Sequence, residues 1–376
     1  MEHLILAFLT SFFVVLLVTP SLIKVAFLKR LFDEPGEARK LHKRVVPTIG
    51  GIIIFAATVF AVAMWFPVGL NPYESLIRGV KDFQYIVATL LMLFFVGIKD
   101  DIVGTAPIKK LAAHIIVGMI LVLMAEIRIR SLHGLFGIYD IPLWASIFLS
   151  IFTYIVVVNA FNLIDGVDGL ASGVGLIAST AFGTIFMFGG DMVMALLSFS
   201  LAGSLAAFLF FNFSPAKIFM GDSGSLSIGL IMSILAIKLV EFVPAEESPA
   251  LIFELVSPVT VLAILVYPLT DTLRIFIYRA TKGISPFSAD RNHLHHLLID
   301  SGFSHKSTVI SIYTASLVVM GAAFAARLLP ETTAFIITGS TGVLLMLAPI
   351  IIKRRHNKKQ AIQKPQTRQL NSIEAA

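Results

Sequence analysis

Long apolar runs, each followed by a short polar segment, recur along almost the whole chain. A helix needs roughly 20 apolar residues to cross the hydrocarbon core of a bilayer. By this criterion about eleven runs are candidate transmembrane helices. Their predicted spans are 4–28, 48–66, 84–98, 110–125, 142–161, 169–188, 192–211, 224–242, 251–277, 308–327 and 333–352. The pattern therefore predicts an all-α, polytopic integral membrane protein.

Composition supports this class. Of 376 residues, 57% are hydrophobic and 14% are charged, and the mean hydropathy is +0.90. An ordinary soluble domain is about 25% charged. The chain has no cysteine, which excludes a disulfide framework and thiol chemistry. We expect one membrane-embedded domain over residues 1–352 and a disordered basic tail over residues 353–376.

The charges of the loops predict the orientation. Lysine and arginine concentrate in segments 29–47, 99–110, 278–307 and 353–376, whereas the alternate loops are acidic or nearly neutral. By the positive-inside rule the basic segments are cytoplasmic. An odd number of spans then places the N-terminus outside and the C-terminus in the cytoplasm, and the first run lacks the basic leader of a cleaved signal peptide. The net charge of +6 is thus a membrane-surface bias, and no nucleic-acid partner is expected.

One of the outer loops alternates polar and apolar residues. Glu126 to Arg130 has a period of two, and Gly134 and Gly137 follow. This pattern predicts a small extracellular β-hairpin.

Five aspartates stand where the apolar runs begin or end. They are Asp100, Asp101, Asp165, Asp168 and Asp222. A carboxylate at such a position has to face water, a cation or a partner, because hydrocarbon tolerates a bare charge poorly. The predicted topology brings all three of their loops to the cytoplasmic side. We therefore expect one acidic site at the membrane surface, suited to a divalent metal and a phosphorylated substrate.

Each of these motifs also has a plain structural interpretation. Asp100 and Asp101 could be a solvated helix end, and Asp222 with Ser223 could be an N-cap. Segment 159–170 could be an Asp/Gly turn. However, its two aspartates, two asparagines and two Asp-Gly pairs supply the oxygen donors that Mg²⁺ prefers, and the helix that follows favours phosphate at its start.

A second group of polar residues lies in the longest cytoplasmic loop, Asp290 to Leu297. Its leucines mark one face of a docked amphipathic helix. His293, His295 and His296 invite a zinc interpretation, but the spacing of a metalloprotease is missing. Hydrogen bonds to phosphate, with Arg291 as a two-point clamp, fit an acidic site better. In the run 42–51, Lys43 and Thr48 could meet a lipid phosphate, although positive-inside bias explains the charges equally well.

Taken together, the motifs resemble those of the polyprenyl-phosphate N-acetylhexosamine-1-phosphate transferases, in family order. The shared motifs are Pro47 to Gly51, Gly97 to Asp101, Asn159 to Leu170, Phe219 to Ser225 and Asp290 to His296. The histidine motif is similar to that of the undecaprenyl-phosphate N-acetylglucosamine-1-phosphate transferases. The resemblance implies transfer of GlcNAc-1-phosphate from UDP-GlcNAc to undecaprenyl phosphate with release of UMP, as the first membrane step of a cell-envelope polysaccharide or teichoic acid. It also implies Mg²⁺, with Mn²⁺ as an alternative, and it allows a homodimer.

The resemblance assigns roles to the candidate residues. Asp222 and Asn162 are expected to hold Mg²⁺, with Asp101 as a further ligand, and Asp100 and Asp101 are the expected catalytic pair. Nucleotide and sugar recognition falls to Asp165, Asp168, Lys110, Arg291, His293, His295 and His296. Lys43 and Thr48 are the candidates for the lipid phosphate.

Three alternatives remain open at this point. The muramoyl-pentapeptide transferases of peptidoglycan synthesis typically have three consecutive histidines, which this chain lacks. A secondary transporter would place its charges near the bilayer midplane, whereas these stand at the ends of the runs. An intramembrane aspartyl protease would need two aspartates that share a proton, and Asp222 has no evident intramembrane partner.

Overall fold

The computed structural model describes residues 1–29, 32–33, 46–67, 73–283 and 293–374, and most of them are helical. The helices are α1 (Glu2–Lys29), α2 (Gly50–Met64), α3 (Tyr73–Val103), α4 (Pro107–Met119, continued by a π-helical segment, Ile120–Met124), α5 (Leu143–Ile164), α6 (Leu170–Gly189), α7 (Met192–Asn212), α8 (Gly221–Val240), α9 (Ala250–Leu255), α10 (Pro258–Ile264), α11 (Val266–Thr281), α12 (Leu294–Ile299), α13 (His305–Ala326) and α14 (Glu331–Glu374). Two antiparallel strand pairs complete the fold: β1 (Phe32–Asp33) with β2 (Val46–Pro47), and β3 (Ser131–Leu135) with β4 (Ile138–Asp140).

Each predicted apolar run is helical, and the all-α, multi-pass class is confirmed. Within the described ranges, eight helices are long and apolar enough to cross a membrane, or nine if a bent pair counts as one span. The run predicted over 251–277 is divided into α9, α10 and α11, with a bend of 83° between α10 and α11. Ser257 accepts hydrogen bonds from the start of α10, and Pro258 occupies its first turn, so the chain restarts a helix there. The number of crossings and their orientation stay predictions.

Helix α8 is the centre of the bundle. It is buried along almost its whole length and packs against α2, α3 and α5. Small residues allow this close approach: a Cβ added at Gly229 would lie 2.7 Å from Val158 Cα on α5. By contrast, α1 and α14 expose many large apolar side chains. An apolar exterior around a close-packed centre is the distribution expected of a protein whose solvent is lipid.

The predicted hairpin exists, but its first strand begins just after the alternating segment 126–130. Its strands are β3 and β4, and Gly137 N donates to Gly134 O at 2.9 Å in the turn. Segment 126–130 lies before it and is not a strand. Glu241, at the end of α8, accepts from the backbone N–H groups of Arg130 and Ser131, and Ile141 N donates to Arg130 O at 3.0 Å. The end of this segment is thus held by one acidic side chain and one backbone bond.

Helix α14 extends to Glu374. It therefore includes the segment for which composition predicts a disordered tail. The division into a domain over residues 1–352 and a tail stays a prediction.

Candidate active site

The start of α8 lies in a tight backbone frame. Phe219 N donates to Pro47 O at 2.7 Å, and the N–H groups of Gly50 and Gly51 donate to Phe219 O and Met220 O at 2.9 and 2.7 Å. The beginning of α2 is thereby fastened along the segment that leads into α8.

Gly221, the first residue of α8, depends on being glycine. Its φ is +72°, and a Cβ there would lie 2.8 Å from Asp101 Oδ1 and would also overlap the carbonyl oxygen of Thr48. Only a residue without a Cβ can bring the backbone this close to a carboxylate and a carbonyl.

Asp101 caps helix α8 from the end of helix α3. Its Oδ1 accepts from Asp222 N at 2.6 Å and its Oδ2 from Ser223 N at 3.0 Å. The first N–H groups of a helix have no partner within the helix, and a carboxylate acceptor makes these bonds charge-assisted. The plain structural interpretation of the sequence was that Asp222 and Ser223 cap this helix themselves. Instead, the N-cap residue Met220 makes no side-chain cap bond, and the cap comes from Asp101, 121 residues away from Asp222.

Lys110 joins two of the predicted aspartates. Its Nζ lies 3.1 Å from Asp100 Oδ2 and forms a second, shorter ion pair with Asp222 Oδ2. Asn162 Nδ2 donates to Asp222 Oδ1 at 2.9 Å and to Ser225 Oγ at 3.0 Å. The ends of α3 and α5 and the starts of α4 and α8 thus meet at a single cluster, as the sequence predicted.

Asp165 lies in the same cluster, in the turn between α5 and α6. Burial raises the pKa of its carboxyl well above the ordinary value, and the charges of Asp222 and Asp101 raise it further. The backbone N–H of Gly221 acts in the opposite direction. An additional negative charge is therefore unfavourable here unless a cation compensates it.

Asp168 is tied to the segment between α7 and α8. Its Oδ2 accepts from Ala216 N at 3.0 Å. Asn212 Oδ1 accepts from Gly169 N at 3.1 Å and from Ser172 Oγ at 2.8 Å, and Tyr313 donates to Gly169 O. These bonds hold the loop 165–169 against α7 and α13. Sequence reasoning missed Asn212 and Tyr313, because each stands in an apolar helix and neither belongs to a recognisable motif.

The segment that carries His293, His295 and His296, here called the histidine loop, contacts helix α11. His293 Nδ1 lies 2.7 Å from Asp271 Oδ2, Leu294 N donates to Asp271 Oδ1 at 2.8 Å, and Tyr267 OH lies 3.2 Å from His295 Nδ1. Sequence reasoning missed both α11 residues. The predicted amphipathic helix is confirmed, since the leucines of α12 are buried.

The same loop also reaches the turn between α5 and α6. His295 is almost completely buried, and burial lowers its pKa to about 3. Its Nε2 has no hydrogen-bond partner among the described residues. A Cβ added at Gly166 would lie 3.4 Å from that nitrogen, so the histidine loop and the loop 165–169 are neighbours. His293, His295 and His296 lie within ring-contact distance of one another.

Two predicted contacts, Lys43 and Arg291, lie outside the described residues. Thr48 lies at the edge of the cluster, where its carbonyl oxygen faces Gly221.

The donor set of the cluster fits a hard cation in chemical type. Asp100 and Asp222 already converge on one cationic atom, Lys110 Nζ, and Asn162 adds an amide group beside Asp222. Carboxylate and amide oxygens are the ligands that Mg²⁺ uses, usually together with water. The described part of the chain has no group of three His, Cys, Asp or Glu side chains already arranged as a metal site. Asp101 differs from the others because both its oxygens already accept N–H groups.

The chain is similar to one family model and to known transferases. The family model described as glycosyl transferase family 4 matches residues 83–240. The undecaprenyl-phosphate alpha-N-acetylglucosaminyl 1-phosphate transferase of Escherichia coli (strain K12) is 30% identical over 303 residues, which cover 78% of this chain and 76% of that protein. The probable undecaprenyl-phosphate N-acetylglucosaminyl 1-phosphate transferase of Bacillus subtilis (strain 168) is 30% identical over 323 residues, 83% of this chain and 82% of that protein.

Proposed function

We infer that this chain, which belongs to glycosyl transferase family 4 as a polyprenyl-phosphate sugar-phosphate transferase, uses UDP-GlcNAc as donor and undecaprenyl phosphate as acceptor. An oxygen of the lipid phosphate attacks the phosphorus that carries GlcNAc. The bond from this phosphorus to the oxygen that bridges the two phosphates breaks, and UMP leaves. The product is undecaprenyl-pyrophosphoryl-GlcNAc, the starting lipid for a cell-envelope polysaccharide or teichoic acid.

The observation that carries this proposal is the convergence of Asp100, Lys110, Asn162 and Asp222 from four helices at one end of the bundle. Both substrates are polyanions. Their reaction needs in-line positioning and neutralisation of charge more than it needs a protein nucleophile. A lysine held between two carboxylates supplies a fixed cation, and the carboxylates are candidates to bind a second one.

The position of the cluster suits a lipid acceptor and a water-soluble donor. It lies at helix ends, so it is neither in the middle of the bundle nor in a separate domain. The loops that carry it are the basic ones, which the positive-inside rule assigns to the cytoplasm. We therefore propose a multi-pass protein of the cell membrane with its active site at the cytoplasmic face, where the sugar nucleotide is available.

We propose that Mg²⁺ takes part. Asp222 and the amide oxygen of Asn162 would hold it, with Asp100 nearby, and the ion would neutralise charge on the diphosphate. Asp101 is proposed to act mainly by holding the start of α8, and thereby Asp222, in place. Asp100 would position the lipid phosphate or remove its proton. The second ionisation of a phosphate monoester lies near pH 6, so much of the acceptor is already dianionic at neutral pH.

The histidine loop and the loop 165–169 would bind the nucleotide and sugar. His295 Nε2 is a buried nitrogen without a protein partner among the described residues, beside Gly166. A buried polar atom of this kind commonly bonds a ligand or a water molecule. Asp165 and Asp168 lie in the adjoining loop, which is suited to reading the uracil and ribose edges.

The direct test is UMP release by the purified protein in detergent with undecaprenyl phosphate. The donor panel contains UDP-GlcNAc, UDP-GalNAc, UDP-glucose and UDP-MurNAc-pentapeptide, each with Mg²⁺ or with EDTA. We expect UMP and lipid-linked GlcNAc only from UDP-GlcNAc with the metal. Asp222→Ala should lower turnover at least 100-fold, about the loss expected when one electrostatic group is removed from an active site.

The matched control is Asp140→Ala, which removes an exposed carboxylate of the hairpin and should leave turnover unchanged. Folded wild-type protein that releases UMP from none of the donors would contradict the proposed function. Release from UDP-MurNAc-pentapeptide alone would replace it with the peptidoglycan reaction. Normal turnover by Asp222→Ala would remove Asp222 from the proposed site.

A further inference from the structure

Helix α11 carries a buried carboxylate that belongs to none of the sequence motifs. Asp271 is completely buried. Its oxygens contact two consecutive residues of the histidine loop: Oδ2 meets His293 Nδ1 at 2.7 Å, and Oδ1 accepts from Leu294 N at 2.8 Å. A buried carboxylate is costly unless such bonds satisfy it. Asp271 and the histidine loop therefore hold each other in place.

The contact with Asp271 decides which nitrogen of His293 carries a proton. An ionised carboxylate only accepts hydrogen bonds, so Nδ1 must be the donor. Nε2 is then the nitrogen that can meet another group, as an acceptor in the neutral ring and as a donor in the imidazolium. The other oxygen of Asp271 fixes the start of α12, so one carboxylate sets both the ring and the backbone that carries it.

Tyr267 repeats this arrangement one helical turn earlier. Residues four apart on a helix lie on the same face, and the Tyr267 hydroxyl lies 3.2 Å from His295 Nδ1. The rings of His293 and His295 are parallel within 7°, with centroids 5.3 Å apart. Two residues at i and i+4 on α11 therefore support two histidines at i and i+2 in the loop. In both rings Nδ1 contacts a side chain of α11, and Nε2 is the nitrogen that faces away from that contact.

We propose that Asp271 is a positioning residue of this enzyme: it fixes the ring of His293 with the proton on Nδ1, so that Nε2 is offered as a hydrogen-bond acceptor to a hydroxyl group of the sugar nucleotide. This inference rests on the proposed function and adds to it a residue that neither the motifs nor the resemblance pointed to. Asp271 acts through His293 and touches no substrate.

Asp271→Asn is the first variant, because asparagine is almost isosteric with aspartate. Its single carbonyl oxygen can still accept from Leu294 N. Its amide group then faces His293 Nδ1 and forces that nitrogen to accept, which moves the ring proton to Nε2. We expect kcat/KM for UDP-GlcNAc to fall by about 10- to 100-fold, the range found when an outer partner that orients a histidine is removed. KM for undecaprenyl phosphate should stay unchanged.

A double-mutant cycle separates positioning from general stability. In a His293→Gln background, Asp271→Asn should cause little further loss of activity, because the residue through which it acts is already gone. The matched control is Asp191→Asn. This carboxylate also accepts from a helix-start N–H, that of Met194 at 3.0 Å, but at the opposite end of the bundle. It should leave both KM values unchanged. If Asp271→Asn does not fold, Asp271→Ser replaces it in the cycle, because the shorter side chain leaves room for a water molecule between its hydroxyl and Leu294 N.

A second measurement needs no substrate. In ¹⁵N-histidine-labelled protein, the His293 signals are identified by their absence in His293→Gln. They should show a protonated Nδ1 in the wild type and a protonated Nε2 in Asp271→Asn. Unchanged signals, or losses of activity that multiply in the double mutant, would overturn the positioning role. If instead the ring signals change as expected but the wild type releases no UMP from any donor, the proposed function fails while the Asp271–His293 contact stands.

Discussion

Removal of the Asp101 side chain tests whether this carboxylate serves structure or chemistry. It accepts from two consecutive N–H groups at the start of α8, from Asp222 and Ser223 at 2.6 and 3.0 Å. The net contribution of a hydrogen bond to a charged group is about 1.5–3 kcal/mol. Asp101 is half-buried, so water can reach part of the gap and the lower end of the range applies. We expect Asp101→Ala to lower the free energy of unfolding by about 2–4 kcal/mol.

Asp101→Asn should have a smaller effect, because an asparagine keeps one acceptor of the two. We expect a loss of about 1–2 kcal/mol. Turnover should fall in both variants, and more in the alanine variant, because Asp222 moves when the start of α8 is no longer held. The assay is the denaturant midpoint of the purified protein in one detergent, measured beside UMP release. Asp140→Ala is again the control and should stay within about 0.5 kcal/mol of the wild type.

The opposite pattern would refute this reasoning. If Asp101→Ala has the stability of the wild type and yet releases no UMP, then the carboxylate acts on the substrate or the metal. Asp101 would in that case be a catalytic residue, as its resemblance to the family motif suggests. If stability falls while turnover at saturating substrate is unchanged, the cap does not position Asp222.

Two further predictions concern charge and packing. Asp165 has a raised pKa in the folded protein, so its contribution to stability is complete below the unfolded pKa and is lost as the pH rises through the folded pKa. In EDTA, the Tm of Asp165→Asn should therefore match that of the wild type near pH 4 and exceed it increasingly at higher pH. A difference in Tm that is constant at all pH values would be the contrary result. A Cβ at Gly97 would lie 2.5 Å from Ser223 Cα, whereas one at Gly118 would meet Ile151 Cγ2 at an ordinary 3.5 Å. Gly97→Ala should therefore destabilise the protein by about 1–3 kcal/mol in the denaturant assay, while Gly118→Ala should be neutral or stabilising. Equal effects of the two variants would show that α3 and α8 can separate freely.

Several parts of the site could be predicted because they depend on local properties of the chain. Asp100, Asp165 and Asp222 end or begin apolar runs, and the alternation of basic and acidic loops assigns their loops to one side. The structure brings Asp100 and Asp222 together around Lys110 and Asn162, and it places Asp165 near enough to interact electrostatically with Asp222. The helix break at Ser257-Pro258 was not predicted, because the apolar run continues across it. A cap residue followed by proline is nevertheless a local signal that could have indicated it.

The partners of the polar groups could not be predicted in the same way. Asp101 is predicted to be catalytic, and no motif indicated that its two oxygens also cap a helix through the N–H groups of Asp222, 121 residues later, and Ser223. Asp271 and Asn212 carried no motif, yet one holds the histidine loop and the other the loop before α6. Spacing along the chain indicates which residues share a helix face, but it does not indicate which face of another helix will lie opposite.

The sequence by itself determined that the chain is a helical membrane protein with its aspartates gathered at helix ends. Helix length and charge at a helix end are local properties, and a bilayer selects for both directly. Only the tertiary structure decided which carboxylate caps a helix, which two pair with Lys110 and which one orients a histidine. Those choices depend on how glycines such as Gly97 and Gly221 let backbones approach. Such contacts join residues that are far apart in the chain, and packing specifies them only when all the helices are in place.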